Sequence, residues 1–204
     1  MVRYRDLFLQ RQQHMLSHYL YASGHDAGLL RALRYMLDAP GKLIRAMFLY
    51  AVGESMGLSI NQLHHPAIAL EWLHLFSLVH DDLPAMDDDI WRRGQRSCHA
   101  AFDESTAILV GDALHAMVYE CLTDPISPIS YRHQCQMVQW FARVSGPQGL
   151  MLGDKVMRVV FSRVGPQYTF NNYLSINSCG TYEYGETEDF VINFTSCNTF
   201  VIDF

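Results

Sequence analysis

Several features that would assign this chain quickly are missing from it. Its longest stretch without a polar side chain, Ala46–Gly53, has eight residues, far short of the roughly 20 that a membrane span needs. Positive charge is scarce: 15 Lys and Arg stand against 21 Asp and Glu, a formal net charge of −6. That balance argues against nucleic acid or an anionic membrane surface as partner. No glycine-rich phosphate loop and no Gly-x-Gly-x-x-Gly occurs, so a nucleotide site has no support. No Gly-x-Ser-x-Gly elbow offers a serine nucleophile. The histidines have no paired spacing with cysteines, which argues against zinc. Near the N-terminus Arg3, Arg5 and Asp6 stand without an apolar signal core, and a cytoplasmic protein is expected. What is present suits a globular domain: half of the 204 residues are hydrophobic and only 18% are charged, enough for a sizeable core.

Composition changes near residue 164. All ten His and all ten Met precede it, and the last cation is Arg163. Beyond it lie five of the six Asn, five of the seven Thr and no Ala. The front has helical periodicity: Tyr4, Phe8, Met15 and Tyr19 keep to one face. Leu29, Leu30, Leu33 and Met36–Leu37 continue the pattern until the turn residues Asp38–Gly41. Further helices are expected over about Leu43–Met56 with Gly57 as cap, from near Pro66 to before Pro84, after Phe102, and over Ile129–Val144. Several are apolar on more than one face, as in a many-helix bundle with buried members. The fold expected is therefore all-α over residues 1–155, with any β structure confined to a strand-like tail, 156–204. In that tail Tyr168–Ile176, Phe190–Phe194 and Phe200–Phe204 have strand composition, and Cys179 and Cys197 could pair. Cys98, Cys121 and Cys135 have the character of small core residues.

The chemistry concentrates in His80-Asp81-Asp82-Leu-Pro-Ala-Met-Asp87-Asp88-Asp89. Five carboxylates in nine residues repel one another unless a cation neutralises them. A solvated acidic run is the ordinary alternative. Here the run closes a strongly apolar helix, Ile68–Val79, and is followed at once by Arg92-Arg93, a pair suited to gripping phosphate. Oxygen-only ligands with room for phosphate and water suit magnesium. EF-hand spacing fails, since Trp91 follows Asp87-x-Asp89 and Gly94 falls too late. Gly41-Lys42-Leu-Ile-Arg45 opens a helix with two cations three apart, and its backbone donors with Lys42 and Arg45 would suit a diphosphate. His74 shares a face with Asp81, seven residues on; a satisfied core histidine is the plainer alternative.

The run from Glu71 through Asp89 with Arg92-Arg93-Gly94 resembles the bacterial farnesyl diphosphate synthases of the trans-polyprenyl synthetase family. Gly41-Lys42-x-x-Arg45, Cys98-His99 with Phe102, and Ala107–Leu114 support the resemblance, as does Gln148-Gly149-Leu-Met-Leu-Gly-Asp154. It covers about residues 1–155. It implies an isoprenoid-synthase-type helical bundle, here partial, around a deep cavity. There isopentenyl diphosphate condenses with an allylic diphosphate through a magnesium-assisted allylic cation. By the same resemblance Asp81 and Asp87 are magnesium ligands with Asp82 beside them, although straight helical spacing would align Asp81 with Asp88. Lys42, Arg45, His74 and Arg93 grip isopentenyl diphosphate, Arg92 contacts the allylic diphosphate, and Phe76 with Ser77 limits product length.

The family's second Asp-rich motif and its Lys-Thr pair are missing from these 204 residues. The tail is similar instead to the end of a secreted β-sandwich module, through Gly185-Glu-Thr-Glu-Asp-Phe190. A synthase weakened by the loss of half its metal clamp is the leading expectation, as a homo-oligomer or paired with a complete synthase. A non-catalytic helical subunit or remnant associated with a complete synthase is the alternative, and an adhesive β module with a passenger front is a third.

Overall fold

A computed structural model describes residues 2–21, 28–147 and 149, together with the backbone of 159–162, 192–195 and 199–202. Cα packing divides the chain into two units, Met1–Gln139 and Trp140–Phe204. Among the described residues there are seven helices: α1 (Val2–Tyr21), α2 (Gly28–Leu37), α3 (Ile44–Ser55), α4 (Ile60–Asp81), α5 (Cys98–Ala101), α6 (Glu104–Leu122) and α7 (Tyr131–Ser145). The front is the all-α bundle expected. Its one departure is a two-residue hairpin, β1 (Trp91–Arg92) paired antiparallel with β2 (Gln95–Arg96), so β structure is not confined to the tail. The hairpin is too short to leave any alternation in the sequence.

The helix α4 is the axis of the first unit. It packs along α6 and against α3, and Ala67–Leu73 are buried without interruption. That explains why its sequence has no amphipathic period: it has no solvent face to mark. From α6, Ala107, Val110, Gly111, Leu114, Val118 and Cys121 are buried. On α1 the expected face is buried at Phe8 and Met15.

One expected helix start moves and another holds. The fourth helix begins at Ile60 and not near Pro66. Gln62 Oε1 accepts from the Ser59 backbone N–H at 3.0 Å and from its hydroxyl at 2.9 Å, fixing the first turn. Pro66 therefore lies inside the helix, where it removes one donor. The third helix begins at Ile44, after Gly41 at φ 69° and Leu43 at φ 55°. Lys42 thus stands outside the helix, and the expected one-face pairing of Lys42 with Arg45 does not form. Gly57, at φ 82°, follows the end of α3 as its composition suggests. Cys98 and Cys121 are buried, whereas Cys135 is exposed and is not a core residue.

Three short strands fall in the second unit, β3 (Val159–Ser162), β4 (Ile192–Thr195) and β5 (Thr199–Ile202), in antiparallel order β3-β5-β4. Phe200 pairs with Phe161 on one side and Phe194 on the other. The expected strands at Phe190–Phe194 and Phe200–Phe204 overlap β4 and β5. Tyr168–Ile176, the Cys179–Cys197 pair, Gly185–Phe190 and all but Gly149 of Gln148–Asp154 lie outside the described residues.

Candidate active site

The chain leaves α4 at Asp81 and turns back on itself. The Leu83 N–H donates to His80 O, Met86 N–H to Leu83 O and Asp88 N–H to Leu83 O. Asp87 N–H donates to the Asp81 carbonyl at 2.8 Å. Pro84 ends the helical ladder, and Asp88 takes φ 54° to complete the turn. The backbone therefore brings the Asp87 amide onto the Asp81 carbonyl, while the Asp88 amide turns to Leu83. Among the described residues no three His, Cys, Asp or Glu side chains converge to enclose a metal by themselves. Asp81 and Asp87 offer oxygen donors only. That donor set fits magnesium, which is held through one or two carboxylates plus phosphate oxygens and waters.

Asp82 does something different. It is fully buried at the end of α4, and its Oδ1 accepts from Arg92 Nε at 3.0 Å and Nη2 at 2.6 Å. The same Nη2 donates to Asp89 Oδ2 at 2.6 Å. Burial raises the Asp82 pKa, and the Arg92 guanidinium only partly offsets this. Arg92 is thus clasped between two carboxylates of the acidic run.

The cations gather around His74. Burial pushes its pKa down to about 2, helped by Arg45, Arg93 and Arg92 in that order. It is a neutral imidazole among three guanidiniums. Arg93, at φ 54° in the hairpin turn, donates from Nη1 to Ala39 O at 2.9 Å. A Cβ on Gly41 would lie 2.7 Å from Arg93 Nε, so the glycine of Gly41-Lys42-x-x-Arg45 admits that guanidinium. From the other side Arg5 Nη1 donates to Gly41 O at 2.8 Å. Lys42 is exposed on this doubly anchored turn.

One residue of the site is not singled out by sequence reasoning. Glu71 is buried on α4 and accepts from Ala46 N–H, in the first turn of α3, at 2.9 Å. Burial raises the carboxyl pKa against the pull of the Ala46 amide, of the Arg45 and Arg93 guanidiniums and, least, of the Arg45 amide. One backbone donor at the start of α3, the Ala46 N–H, is therefore occupied by Glu71. The one hint in the sequence is a lone carboxylate within the apolar run Ala67–Leu73.

Phe76 is buried between imidazoles, edge-on to His80 at 4.9 Å and stacked on His115 at 4.8 Å. Ser77 turns its hydroxyl back to His74 O at 2.8 Å. His80 reaches the α6 backbone, with Nε2 3.1 Å from Ile108 O.

The sequence model of the polyprenyl synthetase family matches residues 26–181, continuing beyond residue 155. Farnesyl diphosphate synthase of Haemophilus influenzae is 42% identical over 153 residues, covering 72% of this chain and 52% of that protein. The Escherichia coli farnesyl diphosphate synthase is 42% identical over 127 residues, covering 62% and 42%. The crystal structure of a geranyltransferase from Legionella pneumophila superposes with a TM-score of 0.68 at 37% identity, covering 74% of this chain and 53% of that one. The chain spans about half the length of the curated relatives it matches.

Proposed function

The chain belongs to the polyprenyl synthetase family, and on that premise we propose that it binds isopentenyl diphosphate and an allylic prenyl diphosphate for prenyl transfer. The observation that carries this reading is the placement of Arg93 over Gly41, just before the helix that bears Arg45, and of Arg92 on Asp82 and Asp89, beside the turn that brings the Asp87 amide onto the Asp81 carbonyl. Guanidiniums suit phosphate because their planar donors match its oxygens. A neutral imidazole adds a hydrogen bond without adding charge. In this reading Lys42, Arg45, His74 and Arg93 hold the isopentenyl diphosphate, and Arg92 faces the allylic one. Asp81 and Asp87 would hold Mg2+, with Asp82 orienting Arg92. Bound there, magnesium supplies charge neutralisation to a departing diphosphate. Phe76 and Ser77 set the depth available to the growing chain.

Turnover by these 204 residues alone is expected to be slight, because one acidic motif leaves the far side of the diphosphate without counter-charge. Loss of one positioned charge typically costs about a hundredfold or more. A non-catalytic subunit associated with a complete synthase is the second reading. Ile108 and Leu109 favour it: both are exposed apolar residues of α6, at 45% and 53%. Labelled isopentenyl diphosphate with an allylic acceptor and Mg2+ tests both readings. Magnesium-dependent binding with little turnover is expected. Turnover by the purified chain at the rate of an intact synthase would overturn the limit placed on it, and absence of binding would overturn the function.

A further inference from the structure

We propose that Glu71 is a positioning residue, whose carboxylate caps the first turn of α3 from the neighbouring helix and so holds Arg45 and Arg93 in the geometry of the diphosphate grip. This rests on the diphosphate reading of the site. The need arises within α3. Its first N–H groups lack intrahelical acceptors, and the residue at its N-cap, Leu43, has no side-chain oxygen and is bent to φ 55°. Glu71 supplies the missing acceptor in trans, at 2.9 Å from Ala46 N, next to Arg45 in the chain. It is only 5% exposed, and a buried carboxylate is costly unless its oxygens are filled and its charge matched. Packing alone asks for none there, since Leu70, Trp72 and Leu73 on either side are apolar and buried. What the carboxylate adds is register. His74 follows Glu71 by three residues, on the same face of α4, while Arg45 is held through the bonded N–H of Ala46, the next residue. The clasp therefore sets the distance between the two helices at the point where both present groups to one anion. Arg93, the other guanidinium facing Glu71, is held in the same frame through Ala39 and Gly41.

Simple charge and positioning predict opposite signs. A carboxylate beside an anion site repels the anion, so its removal would strengthen binding if charge were all it supplied. The test measures binding of inorganic pyrophosphate with Mg2+ by calorimetry and amide hydrogen exchange at Arg45 and Ala46, for the unaltered chain, Glu71→Ala and Glu71→Gln. For Glu71→Ala, faster exchange at both amides and roughly tenfold weaker pyrophosphate binding are expected. Glu71→Gln keeps an acceptor oxygen, so slow exchange and binding within a factor of about three are expected. Pyrophosphate binding by Glu71→Ala that equals or exceeds that of the unaltered chain would overturn the proposal, as would unchanged exchange at the two amides. Should Glu71→Ala not fold, Glu71→Gln decides: slow exchange with tenfold tighter pyrophosphate binding would assign the effect to charge, slow exchange with a tenfold loss would separate binding from the cap, and either result rejects positioning. An unaltered chain that ignores pyrophosphate would instead refute the diphosphate reading, whatever the amides do.

Discussion

The two halves of α4 bury histidines in opposite company. Near the N-terminal end His64 receives or gives a hydrogen bond with Tyr50 Oη at 3.0 Å, and its ring stands edge-on to Tyr50 at 5.7 Å. His65 next to it lies 3.8 Å from Asp124. Burial lowers the His64 pKa to about 4, with Arg11 a smaller cause. Near the C-terminal end burial also leads, but three guanidiniums follow it and take His74 to about 2. A buried imidazole on an apolar helix is thus no mark of chemistry. The difference lies in what neighbouring segments bring: aromatic rings and one distant cation at one end, and arginines from α3 and the hairpin at the other. Predictions follow from trying to erase that contrast.

The largest effect belongs to the charged end. Arg92→Ala would leave Asp82 fully buried with its main counter-charge gone. Stranding a buried charge of this kind costs about 3–5 kcal/mol, read from the urea midpoint at neutral pH. The corresponding change at the other end, Tyr50→Phe, strands only a neutral ring nitrogen and is expected to cost about 1–2 kcal/mol. Equal losses would mean that the Asp82–Arg92 pair carries no more than an ordinary buried hydrogen bond.

Acid comes next, and it addresses both ends. A histidine whose folded pKa lies below the ordinary 6.5 is protonated first in the unfolded chain. Its contribution to stability is therefore complete above about pH 6.5 and is lost as pH falls toward the folded value. Each group costs at most about 1.4 kcal/mol per pH unit within its window. For His64 the window closes near pH 4; for His74 it runs on to about 2. Denaturation from pH 7 downward should steepen below 6.5. His64→Gln should flatten only the upper part of that decline, while His74→Gln should flatten it throughout. If the two variants give the same profile, the two environments do not differ as described.

Much of this architecture is visible in the sequence, and its gaps have physical causes. The acidic turn stands out because five carboxylates and two arginines within thirteen residues, Asp81–Arg93, cannot all be buried without counter-charge. The approach of the Asp87 amide to the Asp81 carbonyl does not follow from helical spacing, because the turn after Pro84 and the left-handed Asp88 set it through the backbone. Lys42 and Arg45 suggest one helical face, yet Leu43 in the left-handed region delays the start of α3 to Ile44 and leaves Lys42 outside it. Glu71 is invisible for a different reason. Its partners are 25 residues away in sequence, and no local period records a bond between helices. Pro66 misleads because proline at a first helical turn is common, while here the Ser59–Gln62 turn has already begun α4.

The smallest contrast concerns two glycines against which the ends of α4 rest. At the N-terminal end a Cβ on Gly53 of α3 would meet Leu63 Cδ2 at 2.4 Å. At the C-terminal end a Cβ on Gly111 of α6 would meet His80 Nε2 at 2.1 Å. Either substitution gains about 1 kcal/mol of helix propensity from losing a mid-helix glycine. Both then incur the overpacking penalty of about 1–3 kcal/mol, and the neighbour decides how much of it is felt. Leu63 ends in a flexible isobutyl group that can change rotamer, so Gly53→Ala should come out near neutral. His80 cannot retreat without giving up Ile108 O and its edge contact with Phe76, so Gly111→Ala should be destabilising by about 1–2 kcal/mol. The geometry adds a second expectation. His80 directly precedes Asp81, so Gly111→Ala should shift the backbone amide resonances of Asp81–Asp87, while Gly53→Ala leaves them in place. Equal melting losses with an undisturbed acidic turn would show that His80 merely lies over Gly111 without holding the end of α4 there.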